Sequence, residues 1–193
     1  MSLWAAVCFV LAADGWWNQK PPEAWSVEEV REILESSPWA RTLEVKGGGT
    51  IRVHLASALP MREAEKRERT FDRRTGAPDG SFAEYLAMIE EGKYLVLAVR
   101  VPADAREAFS DAGRVSDLQK DSRLRAGKKS HPLVTFFPPS SSDPYLRLVF
   151  DRPTSIEKEK SLDIEFVVPG ISDPYRRASF YTKELRYRDR IEY

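Results

Sequence analysis

Cysteine is almost missing from this chain. The 193 residues hold one, Cys8, and it lies within the apolar start. With that start removed the protein would carry none, which excludes disulfides, a thiol nucleophile and cysteine metal sites together. Histidine is nearly as scarce, His54 and His131 being the two present. A zinc site would need both plus carboxylates, and neither stands in a ligand spacing such as H-E-x-x-H. Net charge is lacking as well, because thirty Lys and Arg cancel thirty Asp and Glu. No long-range field draws the chain to nucleic acid or an acidic membrane, so any anion site must be local. G-x-G-x-x-G, the Walker pattern and the G-x-S-x-G elbow are all missing. Neither a nucleotide cofactor nor a serine elbow is therefore expected, and no cofactor or metal is assigned.

What is present is the composition of a globular protein, 42% hydrophobic and 31% charged, in a length that suits one domain. Residues 3–13 are apolar throughout. That run fits the core of a signal peptide and falls well short of the roughly 20 residues that span a bilayer. Cleavage after Ala12, with Val10 two residues earlier, or after Ala13, fits an A-x-A-like site, although no cation precedes the run. The competing reading is a first strand or helix of the core. Residues 1–13 are accordingly expected to be a signal peptide and 14–193 a single domain, periplasmic or secreted, with no transmembrane span.

The segment WSVEEVREILESSPW carries the clearest local pattern. Ser26 and Glu29 have capping-box spacing and Trp25 with Val30 that of a hydrophobic staple, which predicts a helix from Val27. Its stripe is Val27, Val30, Ile33 and Leu34, and Pro38 ends it. Trp16 and Trp17 ahead of it could stack on a sugar, but are read as pinning the terminal segment to the core. A period of two then predicts a hairpin about Gly47-Gly48-Gly49, with Leu43 opposite Val53, Glu44 opposite Arg52 and Thr42 opposite His54. Glu63 with Arg67 and Glu65 with Arg69 predict an exposed helix, and Phe82, Tyr85, Leu86 and Ile89 a buried helical stripe ending at Gly92. YLVLAVRV reads as the most buried strand. Residues 103–126 read as helical with a break near Gly113 and starts at Asp104 and Ser116. The rest is strand-rich, with SDPYLR and SDPYRR each setting a turn before a strand. The fold class is α+β, a mostly antiparallel sheet with helices packed on one face.

Candidate functional residues are few. His54 and His131 are the candidate catalytic bases, His54 reading more simply as a cross-strand partner of Thr42. Arg123, Arg125, Lys128, Lys129 and His131 gather in nine positions without an acid. They read either as an anion patch or as the last turn of a helix, where cations complement the dipole. In the terminal YTKELRYRDRIEY, Arg186, Arg188 and Arg190 would share one face of a strand, holding a phosphate-bearing polymer or guarding an edge. Lys128, Lys129 and these three arginines are the candidate anion-binding residues.

WSVEEVREILESSPWAR followed by SALPMREA resembles a family of uncharacterised secreted bacterial proteins. Its pattern is a W-(S/T)-x-E-E-(V/I) helix ending SPWA, then a strand ending S-A-L-P and a charged helix. The resemblance covers about half the chain and implies export, but brings no activity or ligand. Two functions remain. The first is a non-catalytic binding or structural module of the bacterial cell envelope, with an envelope protein or anionic polymer as partner. The second is a hydrolase of envelope or extracellular polymers using His54 or His131.

Overall fold

The computed structural model describes residues 15–46, 49–72, 80–90, 92–141 and 143–193. The expected signal peptide, 1–13, lies outside them, as do Gly47, Gly48 and the side chain of Ser81. Helix α1 spans Val27–Ser36, and Ser26 caps it as the spacing requires: its hydroxyl accepts from the Glu29 N–H at 3.2 Å, and Glu29 accepts from the Ser26 N–H at 2.6 Å. Val30, Ile33 and Leu34 are buried, while Val27 stays 43% exposed. The chain turns extended at Ser37, before Pro38, and enters strand β1, Ala40–Glu44. Strand β2, Thr50–Leu55, returns antiparallel.

The hairpin register differs from the expected one by two residues. Leu43 faces Ile51, Thr42 faces Arg52 and Ala40 faces His54. The ladder closes at Glu44 and Thr50, with the Val45 N–H donating to the Gly49 carbonyl at 3.1 Å, so Val45 joins the loop instead of pairing. A shift of two keeps each side chain on its expected face, but it replaces Thr42 with Ala40 beside His54.

Helix α2, Leu59–Phe71, and helix α3, Gly80–Glu90, follow. Strand β3 is Tyr94–Arg100, with Leu95 to Val99 all buried. The region expected to be helical to residue 126 divides three ways. A 3-10 helix runs over Ala103–Ser110 and helix α4 over Ala112–Asp121. Then comes strand β4, Arg123–Ala126. The break falls at Asp111, whose carboxylate accepts from the N–H groups of Gly113 (2.8 Å) and Arg114 (3.2 Å). An Asp cap satisfies the orphan donors of a first turn, so α4 starts before Ser116.

The remaining strands are β5, Lys129–Phe137; β6, Tyr145–Asp151; β7, Ser161–Val167; and β8, Tyr175–Tyr181. Tyr145 and Tyr175 each open a strand behind Asp-Pro, as the repeated hexapeptide suggested. The fold is α+β: eight strands form one antiparallel sheet in the order β1-β2-β3-β6-β5-β4-β7-β8. The sheet nearly closes into a barrel, because β1 and β8 lie side by side and Arg41 Nε donates to the Ser179 carbonyl at 2.9 Å. Among the described residues no helix is long and apolar enough to cross a membrane.

Strands β3 and β6 are buried on both faces. Leu95, Leu97 and Val99, with Leu146, Leu148 and Phe150, join the main core. Val96, Ala98, Tyr145 and Val149 meet Phe82, Tyr85 and Ile89 of α3 in a second cluster. At the other end of the chain a ladder of rings runs Trp25–Trp16–Trp17–Trp39–Tyr187, with centroids 5.8 to 6.4 Å apart. Trp16 and Trp17 thus pin the leading segment. The terminal strand is not continuous: strands β9, Arg186–Tyr187, and β10, Arg190–Ile191, form a small hairpin. Arg188 (φ 47°) and Asp189 (φ 63°) make its turn, the left-handed pair that a two-residue hairpin loop requires.

Candidate binding cleft

Register places the key side chains in a row. His54 on β2 pairs with Ala98 on β3, which pairs with Arg147 on β6. All three lie on the face that α3 helps to cover, and the small Ala98 leaves room between the two larger residues. Glu65 of α2 enters that gap. Its Oε1 lies 2.6 Å from His54 Nε2, and Arg147 donates to its two oxygens from Nη1 at 3.1 Å and Nη2 at 3.0 Å. Arg147 also donates from Nε and Nη2 to Asp143 at 2.6 and 3.1 Å, and from Nη1 to the Tyr85 hydroxyl at 3.0 Å. A guanidinium has five N–H donors, and here each has an acceptor. Arg147 is 1% exposed, so such complete pairing is what makes its burial tolerable.

The electrostatics follow from this enclosure. Burial raises the Glu65 carboxyl pKa, but the Arg147 charge and the His54 hydrogen bond outweigh it and hold it down at about 2. Desolvation works against the Arg147 cation, yet Glu65, Tyr85 and Asp143 around it push its pKa up. Burial likewise drives the Tyr85 hydroxyl up. Glu65 is therefore a fixed anion, not the exposed partner of Arg69 that its helical spacing suggested. Arg69 instead stacks on Phe82, 3.9 Å from the ring centroid.

One step along the same face lie Arg52 on β2 and Arg100 on β3, the latter paired with Tyr145. The His54 ring packs edge-on against Tyr145 at 5.1 Å. Burial, with Glu68 and Glu65 adding to it, pushes the Tyr145 hydroxyl up to about 12 against the pull of Arg100. Over this row α1 and α2 leave a cleft of about 420 Å³. Its floor is His54, Arg52, Arg100 and Tyr145; α1 contributes Val27, Val30 and Glu35 to one wall, and α2 with its C-cap Asp72 contributes Glu68 and Phe71 to the other. Arg52 forms an ion pair with Glu35 across the opening. The cleft combines apolar patches with fixed charges of both signs, which can orient a polar ligand.

The other candidates lie elsewhere. His131 is on β5 opposite Leu124, half-buried, with Nε2 enclosed and lacking a hydrogen-bond partner among the described residues; it does not line the cleft. The basic run is a β4–β5 hairpin, not the end of a helix. Arg123 and Arg125 reach Glu165 at 2.6 and 3.5 Å, while Lys128 and Lys129 stand exposed near the turn. Arg186, Arg188 and Arg190 are divided by the terminal turn and do not form the expected row. Sequence reasoning missed Glu65, Asp143 and Arg147. One signal was there: Arg147 interrupts YLRLVF, a strand otherwise apolar enough to be buried on both faces. Among the described residues, no His, Cys, Asp and Glu side chains group as a metal site. Comparison with protein-family models, curated proteins and solved structures finds no match to the chain.

Proposed function

We propose that this protein is a non-catalytic binding module of the bacterial cell envelope that takes a polar, anionic ligand in the cleft over His54, Arg52 and Arg100. The observation that carries the reading is the closed pairing beneath the cleft floor. Arg147 uses all its donors and Glu65 is held ionised, so the floor is a preorganised surface that needs no rearrangement to receive a ligand. The envelope assignment is supported by the apolar residues 3–13 and by the resemblance to secreted bacterial proteins. The partner is then an anionic envelope polymer or an envelope protein. Binding of soluble anionic cell-wall oligosaccharides, measured by calorimetry, tests it. Wild type should bind, and Val27→Trp, which fills the mouth from an exposed position, should weaken binding by about tenfold. Equal binding by both would remove the cleft from the account. Fractionation with N-terminal sequencing tests the location: a chain found in the cytosol and still beginning at Met1 would end the envelope assignment.

A second reading is favoured by one contact. His54 Nε2 lies 2.6 Å from Glu65, the arrangement in which a carboxylate orients a histidine base, and His54 borders the cleft. A hydrolase of envelope polymers built on it would lose activity in His54→Ala and keep it in His131→Ala. Activity unchanged in both would dispose of the histidine mechanism.

A further inference from the structure

Arg52 and Arg100 form a ridge with hollows on both sides. The cleft is one. The other encloses about 330 Å³ and is bordered by Arg52, Arg100 and Arg106, with Thr50, Val101 and Pro144 among its other walls and, among the described residues, no acidic residue lining it. We propose that this second hollow is an oxyanion site for a phosphate group, either free or as the ester of a larger ligand whose remainder lies in the cleft. The reading goes beyond a binding role for the cleft and stands whether or not the cleft is filled.

Three features point to it. Arginines from three separate elements line it: Arg52 from β2, Arg100 from the end of β3, and Arg106 from the 3-10 helix that follows. Arg52 is offset by Glu35. Arg106 has no carboxylate within ion-pairing distance among the described residues, and its Nε is buried without a hydrogen-bond partner. A buried charged donor lacking an acceptor is costly, and an oxyanion supplies acceptors in the geometry that a guanidinium fork matches.

The third feature is that Arg106 is held in place. Its helix turns back at Pro102 and is seated on Gly170, where a Cβ would lie 2.7 Å from the Ala105 carbonyl oxygen. Gly170 has φ +86°, so both its conformation and the close approach require glycine. The backbone contact fixes the position of the residue just before Arg106. The three arginines form no run in the sequence, standing 48 and 6 positions apart, and meet only through the fold.

The test is a titration with inorganic phosphate, read on the arginine Nε–H and backbone amide signals of the whole protein by NMR. Saturable shifts at Arg52, Arg100 and Arg106 at millimolar phosphate are expected. Arg106→Gln should weaken binding about tenfold, whereas Lys128→Gln with Lys129→Gln should leave it unchanged. Glucose 6-phosphate against glucose and inorganic phosphate distinguishes the sources. Equal binding of ester and free ion assigns the site to phosphate alone, and tighter binding of the ester, with added shifts at Val27 and Phe71, assigns it to a phosphorylated ligand. Shifts confined to Lys128 and Lys129, no shift of the three arginines at 50 mM phosphate (a probe concentration far above about millimolar affinity), or undiminished binding by Arg106→Gln would overturn the proposal.

Discussion

Arg147 is the residue on which the cleft floor depends. Its charge is enclosed, and its five donors hold Glu65, Asp143 and Tyr85 in place. Arg147→Met would leave two buried carboxylates without their counter-charge, and such a loss costs about 3–5 kcal/mol. Urea denaturation should show it, with part of the loss recovered when Glu65→Gln and Asp143→Asn are added. Glu65 gives a second prediction. Its carboxyl lies at about 2 when folded against 4.5 for the unperturbed group. Between those values the unfolded chain binds more protons than the folded one, so stability rises with pH there. The contribution is fully present above about pH 4.5 and is lost as pH falls toward 2, on the order of 3 kcal/mol in all. The urea midpoint of wild type should fall across that window. Glu65→Gln, less stable at neutral pH, should show a flatter profile.

At the level of elements, the caps decide where helices begin. Ser26 was readable from spacing alone, because hydroxyl and carboxylate three residues apart serve a purely local hydrogen-bond need. The start of α4 was not, since Ser116 with Gln119 mimics the same spacing while Asp111 does the capping. Asp111→Ala should therefore cost about 1 kcal/mol in thermal denaturation and Ser116→Ala much less. The reverse order would move the helix start back to Ser116. Strand β4 was misread for a related reason. RLRA is too short for periodicity to separate strand from helix, and its identity comes from pairing with β5 and β7, which sequence does not display. The hairpin faces were legible, but the register was not, because a loop lengthened by two residues preserves the alternation.

On the scale of the whole molecule, the α+β class and antiparallel sheet followed from the order of periodic segments. The cleft did not, because its parts meet only through strand order. His54 and Arg147 become neighbours when β3 lies between β2 and β6, and Glu65 joins them when α2 packs over that row. Glu65 looked exposed because Glu-Arg spacing on one helix is the ordinary mark of a solvated face. The most direct test of the account is one sample of protein with a soluble anionic cell-wall oligosaccharide, followed by NMR for binding and by mass spectrometry for ligand integrity. The account predicts saturable shifts at Val27, Arg52 and Phe71 with the oligosaccharide intact. Shifts that bypass these residues, or a ligand cleaved during the titration, would contradict it.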